Sequence, residues 1–245
     1  MSVQHHEESL HGSSPLLDRF QEYLSEFVYG GIDGSVTTFA VVAGSAGAGL
    51  DASVVIILGF ANLIADGFSM SVGSYLSNKS EKANYEKHKQ VEYWEVEHIP
   101  EKEREEIREI YQAKGFEGEL LEQVVSVITA DKDRWVDVMM KEELEMIPGP
   151  KSPFGMALAT FIAFVVVGLV PLLIYVFDYL NGSTNANAFL ISSVFTSLAF
   201  VGIGYLKAVL TASSIWKGVV ETLFLGASAA ALAYWVGNVL QSWLG

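Results

Sequence analysis

Four glutamates, Glu92, Glu95, Glu103 and Glu106, are separated by three, eight and three residues within the run QVEYWEVEHIPEKEREEIREIYQAKG. On one continuous helix their directions are roughly 0°, 300°, 20° and 320°, so all four fall within about 80° of one another. Carboxylates on one stripe repel unless a cation sits among them. Pro100 predicts that one helix ends and another begins between the pairs, which leaves two Glu-x-x-Glu clamps on adjacent helices. The ordinary alternative is a solvated face on which Lys102, Arg104 and Arg108 neutralise their acidic neighbours. Against that stands a third helical stretch, ADKDRWVDVMMKEELEMIPGP, which brings Met139, Met140 and Glu143, the glutamate one turn beyond the methionines. Oxygen donors beside a thioether suit Fe²⁺ or a similar first-row ion. His88 and His98 are nitrogen donors in the same region and read as ordinary surface histidines.

A second group of polar residues lies where the chain is otherwise apolar. Asp33 occurs inside FVYGGIDGSVTTFAVVAG, and Asn62, Asp66 and Met70 occur inside GFANLIADGFSMSVGSYL. An ionised aspartate near a bilayer centre costs about 2.5–3.5 kcal/mol on insertion scales, so it faces a cavity, a partner or an ion. Asp66 reads equally well as a helix-end carboxylate that reaches water. Asp33 reads as functional, because Gly30, Gly31 and Gly34 allow a helix or a desolvated ion to approach it closely. Met70 follows Asp66 by one turn; its thioether matters for a borderline metal only if it shares a cavity with Asp33.

These residues need long helices to position them. The 245-residue chain is 51% hydrophobic yet carries 29 acidic side chains, a mixture of strongly apolar and strongly polar segments. Five stretches are near the ~20 residues needed to cross ~30 Å of hydrocarbon: Phe27–Leu50, Ser53–Ser77, Phe154–Phe177, Ala188–Leu210 and Gly218–Leu240. Pro171 is expected to kink the third, and Glu221 to reach the interface at the start of the fifth. Between the second and third lies 78–153, with about half of its residues charged from Lys79 to Arg108; that part belongs in water. Residues 1–26 are expected to include an amphipathic helix on the membrane surface, with Leu16, Leu17, Phe20, Tyr23, Leu24 and Phe27 at helical spacing after Ser14-Pro15. No cleaved signal peptide is expected.

Arg19, Lys207, Lys217 and the basic residues from Lys79 to Lys151 all fall on one side of five alternating spans. The positive-inside rule therefore predicts a cytoplasmic N-terminus and a cytoplasmic polar segment. The chain has no cysteine, which excludes disulfides, iron–sulfur clusters and thiolate zinc sites. GSAGAG in the first span lacks the preceding strand of a dinucleotide loop, and no GxxxxGK[ST] motif occurs. Any movement of solute is thus expected to be driven by a gradient rather than ATP. No nucleic-acid partner is expected at a net charge of −14. Five spans do not divide into two equal repeats, and a homodimer would supply the symmetry through close contacts of the small residues in span one.

Taken together, GIDGSVTTFAVVAG, ADGFSMSVGSYL, the Glu-rich insert, WVDVMMKEEL and GLVPLLIY, in this order, resemble the vacuolar iron transporter family from about Glu22 to the C-terminus. The resemblance implies an all-α membrane protein, a homodimer of five-span subunits that exchanges cytosolic Fe²⁺ for protons. It implies a cytoplasmic three-helix metal-binding domain between spans two and three. It further implies that Asp33 and Met70 line the ion pathway, that Glu22 stands at the cytoplasmic entrance, and that Glu92, Glu95, Glu103, Glu106, Met139, Met140 and Glu143 hold metal in the domain. Asn62 stands where plant relatives carry a glutamate, and Asp66 is expected to take over part of that role.

The expected activity is export of Fe²⁺ from the cytoplasm, with Mn²⁺, Co²⁺ and Zn²⁺ as further ions and no permanently bound cofactor. Its expected location is a bacterial inner membrane, or a vacuolar membrane in a eukaryote, with lipid, divalent ions, protons and a second subunit as partners. The alternative enzyme reading is a non-transporting ferroxidase whose Glu-x-x-Glu pairs form a di-iron centre. A scaffold whose charged segment binds proteins and no metal is the third possibility.

Overall fold

A computed structural model of the protein describes residues 22–183 and 185–244. All of the regular structure among them is helical. In chain order the helices are α1 (Leu24–Gly47), α2 (Ala52–His98), α3 (Pro100–Ala113), α4 (Gly118–Thr129), α5 (Lys132–Glu142), α6 (Pro153–Gly168), a 3₁₀ turn (Val170–Leu172), α7 (Leu173–Leu180), α8 (Ala188–Leu210) and α9 (Ile215–Leu244). The expected surface helix before Tyr23 lies outside the described residues. Five helical stretches are long and apolar enough to cross a membrane: α1, α2, α6 with α7, α8 and α9.

The chain divides into two compact units, one comprising residues up to Tyr75 together with Lys151–Gly245, the other Leu76–Pro150. The polar unit is not built from three separate helices alone, because the second half of α2 is its first element. No proline or glycine interrupts the chain between Gly73 and Pro100, and Glu, Lys and Ala are strong helix formers. Helix α2 therefore continues for 47 residues, about 70 Å at 1.5 Å per residue. It stops at His98 because Pro100 disfavours the helical conformation of the residue before it.

In the apolar unit α1 is the central helix, packed against α6, α8 and α9. A Cβ at Gly34 would run into the backbone of Phe164 on α6, and one at Gly47 into the backbone of Tyr234 on α9. Several of the small residues of span one, Gly34 and Gly47 among them, thus make close contacts within the chain. Hydroxyls in these helices turn inward on their own backbone: Ser35 donates to the Gly31 carbonyl at 2.7 Å, Thr160 to Met156 at 2.9 Å, Thr196 to Ser192 at 2.7 Å and Thr222 to Gly218 at 2.8 Å. This satisfies them without water. Pro171 does more than kink its span: the α-helix gives way to a 3₁₀ turn, and the buried Ser192 hydroxyl donates to the Pro171 carbonyl at 2.6 Å.

The polar unit has its own core of Val96, Ile107, Leu121, Val125, Ile128, Trp135, Val136, Met139 and Met140. The Tyr93 hydroxyl donates to Asp133 at 2.7 Å and Lys132 pairs with Glu97 at 3.0 Å, tying the end of α2 to the start of α5.

Gly34→Ala should destabilise the protein by about 1–3 kcal/mol, since the obstacle is backbone and no side chain can move away. Gly73→Ala, also in a helix but with nothing within 4 Å of the added carbon, should be neutral or stabilising by up to about 1 kcal/mol. Thermal unfolding of the two variants in detergent checks this; equal effects would show that α1 does not depend on close approach.

Candidate metal centre

The end of α2 carries Glu92 and Glu95 one turn apart, and α3 repeats that spacing with Glu103 and Glu106. The break at Ile99 folds the second pair back toward the first. Val96 and Ile107, one residue from Glu95 and Glu106 respectively, enter the core and fix the rotation of both helices. Glu143 arrives as the residue that caps α5, its N–H bonded to the Met139 carbonyl at 3.0 Å.

The result is two groups that share a member. Glu92, Glu95 and Glu103 each present a carboxylate oxygen within 4.8 Å of the others, and so do Glu103, Glu106 and Glu143. Glu103 is only 1% exposed and Glu92 only 4%. Both Glu103 oxygens and one Glu92 oxygen have no hydrogen-bond partner. Burying an ionised carboxylate without a partner is costly, so the proton is held more tightly. Burial, then the neighbouring Glu143, Glu95 and Glu106, push Glu92 up to about 7. Burial, then Glu106, Glu95 and Glu92, push Glu103 up to about 7 as well. Glu143 is also raised, by burial and by Glu106 and Glu95.

The basic residues next to this stripe in sequence are mostly engaged elsewhere. Arg108 binds Glu122 at 2.7 Å and also pairs with Glu105. Arg104 lies over the Trp135 ring at 5.8 Å. Lys102 alone reaches in, to Glu106 at 2.8 Å. Glu92 and Glu103 form no ion pair among the described residues, and a cluster of carboxylate oxygens is a donor set that suits divalent metals.

Met139 and Met140 are fully buried in the hydrophobic core, so packing is their structural role. His98 bonds the Trp94 carbonyl at 2.8 Å and stacks on the Trp94 ring, and neither His98 nor His88 joins the carboxylate groups.

In the apolar unit Asp33 is half-buried on α1 and Asp66 is exposed on α2, with their carboxylates within electrostatic reach of each other. Met70 is half-buried against the cluster containing Val42, Leu63 and Phe164. The Asn62 side-chain nitrogen is buried without a partner. Glu22 is exposed at the start of the described chain. Sequence reading missed Glu26, 9% exposed and bound to Lys151 at 3.0 Å; the signal was present, since Glu26 lies one turn from Glu22 and two from Asp33.

The sequence matches a family model described as VIT family over residues 24–238. It is 37% identical over 226 residues to a Toxoplasma gondii protein named vacuolar iron transporter, covering 90% of this chain and 75% of that one. It is 35% identical over 222 residues to vacuolar iron transporter 1 of Oryza sativa subsp. japonica, with 90% and 86% covered. The Arabidopsis thaliana protein of the same name is 34% identical over 221 residues, with 90% and 87% covered.

Two outcomes follow from the carboxylate groups. Glu92 and Glu103 hold their protons to about pH 7 when folded and to about 4.5 when unfolded. Between those values the folded state binds more protons, so the metal-free protein should lose stability as pH rises through that window. Metal competes for the same oxygens, so Mn²⁺ affinity should rise over the same window and saturating Mn²⁺ should cancel the loss. Thermal unfolding with and without Mn²⁺ from pH 5 to 8 reads both. Glu103→Gln should weaken both groups at once, by at least the roughly 10–100-fold seen when metal sites lose a supporting partner. Calorimetry should show the larger loss for Glu103→Gln than for Glu95→Gln; equal small losses would make the stripe an ordinary solvated face.

Proposed function

The chain belongs to the VIT family, and from that premise we propose that it is a proton-coupled antiporter moving Fe²⁺ out of the cytoplasm. The observation that carries the reading is Glu103: buried, with both oxygens unpartnered, and shared by two carboxylate groups. A stable charged face would have its oxygens in water or on Lys and Arg. Relatives named vacuolar iron transporters support iron as the cargo. They also give no support to a ferroxidase.

In this reading the Leu76–Pro150 unit is cytoplasmic and gathers Fe²⁺ on Glu92, Glu95, Glu103, Glu106 and Glu143. Met139 and Met140 serve the core first, and their thioethers bias the site toward Fe²⁺ over harder ions. Mn²⁺, Co²⁺ and Zn²⁺ share enough of that chemistry to be carried too. Glu22 marks the entrance, and Asp33, Asn62, Asp66 and Met70 line the passage. A carboxylate within the membrane can hold either a metal ion or protons, so Asp33 both binds the ion and couples it to the proton gradient.

A second subunit completes the passage. Asp66 is exposed on α2, and leaving a charge against lipid costs about 2.5–3.5 kcal/mol; covering it with the same surface of a partner removes that cost. In this reading the distribution of Lys and Arg puts the N-terminus and the polar unit in the cytoplasm, with a bacterial inner membrane as the location, or a vacuolar membrane in a eukaryote.

Asp33→Asn keeps the size of the side chain and removes its charge change. In liposomes carrying an iron-sensitive dye and a pH dye, it should abolish Fe²⁺ uptake and the accompanying proton movement while metal binding by the polar unit persists. Near wild-type uptake would assign coupling to another residue, Asp66 first.

A further inference from the structure

The cytoplasmic-side end of α1 holds an ion pair that the transport reading does not use. Glu26 is buried, and the Lys151 ammonium donates to its two oxygens at 3.0 and 3.1 Å. Ser25 donates to the same carboxylate at 2.8 Å and receives a bond from Lys151 at 3.1 Å. Lys151 also lies over the Tyr23 ring at 5.9 Å, and the Tyr23 hydroxyl end packs against Gly155 at the start of α6. The Glu26 carboxylate is therefore fully engaged by groups of its own chain.

Its place on α1 gives this pair its meaning. Glu26 and Asp33 are seven residues apart on α1, which sets them within about 20° of one another. Glu26 stands about 10 Å below Asp33 on that stripe. In the proposed transport reading an ion moving along α1 toward Asp33 meets Glu26 first, and Glu26 already holds a cation.

We propose that Lys151 is a tethered competitor cation, a specificity-determining residue that a divalent ion must displace from Glu26 before it can reach Asp33. This rests on the transport reading for its consequence, though not for the displacement itself. The lysine is a monovalent point charge on a flexible stem, so a weakly held or dilute ion fails to replace it. A divalent ion with stronger attraction to the carboxylate succeeds. Lys151 thus sets the concentration above which the passage opens to metal, without entering the passage.

The test uses the full-length protein in detergent and an amine-reactive reagent, with labelling at each lysine read by peptide mass spectrometry across a Mn²⁺ titration. Lys151 labelling should rise about threefold or more, a factor within the range of a single ion pair. Labelling of the exposed Lys217 should stay constant. The rise should survive replacement of Glu92, Glu103 and Glu143 by Gln, which separates it from binding in the polar unit. A flat Lys151 profile overturns the proposal whether or not the protein transports iron. A rising profile in a protein that moves no iron sustains the displaceable cation and removes the transport reading instead. In liposomes Lys151→Met should lower the apparent KM for Fe²⁺ by a similar factor, with Lys151→Arg close to wild type. An unchanged or raised KM for Lys151→Met, with a lowered Tm, makes Lys151 a strut and also overturns the proposal.

Discussion

Negative charge withheld from water is the constraint on which the polar unit turns. Glu92 and Glu103 are nearly inaccessible, have oxygens without partners and face other glutamates. No packing advantage explains this, since apolar residues of similar size would fill the space without desolvating a carboxylate. The arrangement survives because the core beneath it is strong enough to hold it. Val96, Ile107, Val136, Met139 and Met140 bury against one another, with Glu92 and Glu103 buried, Glu95 and Glu106 half-buried and Glu143 exposed. Burial and the neighbouring carboxylates raise the proton affinity of Glu92 and Glu103, and on the proposed reading a divalent cation competes with those protons.

The apolar unit solves a different problem with the same economy. In hydrocarbon, helices gain nothing from hiding apolar surface, so they associate by close packing. Helix α1 achieves this with glycines on two of its faces, toward Phe164 and toward Tyr234. Being central, it carries Asp33 half-buried, within electrostatic reach of Asp66 on α2. Span two is the least committed to intrachain packing near that point, with Ile64, Asp66 and Phe68 exposed. An exposed carboxylate among apolar side chains is the ground on which a second subunit is proposed.

Much of this was legible in the residues. The five spans stand out because each is a long apolar run, and the Glu-x-x-Glu pairs stand out because their spacing survives the Pro100 break. The junction at Ser77 was less legible: composition changes there, but the helix does not, because nothing between Gly73 and Pro100 stops it. The small residues of span one suggested close contacts with a second subunit; Gly30 and Gly34 approach α6 and Gly47 approaches α9 of the same chain, and the dimer rests on proposal. Met139 and Met140 share one turn with Glu143, yet spacing could not reveal that the core would claim them. Which lysines and arginines would neutralise the stripe was equally hidden, since Arg108 finds Glu122 fourteen residues away and Arg104 finds Trp135. The Glu26–Lys151 pair joins residues 125 positions apart, and no local pattern marks it.

The central claim is that two buried glutamates, Glu92 and Glu103, with Glu95, Glu106 and the exposed Glu143 around them, are a binding place for divalent iron. Anomalous X-ray diffraction from crystals grown with Fe²⁺ under reducing conditions tests it most directly. The account predicts peaks within coordination distance of the Glu92–Glu95–Glu103 and Glu103–Glu106–Glu143 groups, with Glu103 contributing to both. Crystals that bind iron elsewhere, with Glu92 and Glu103 still free of metal, would contradict it.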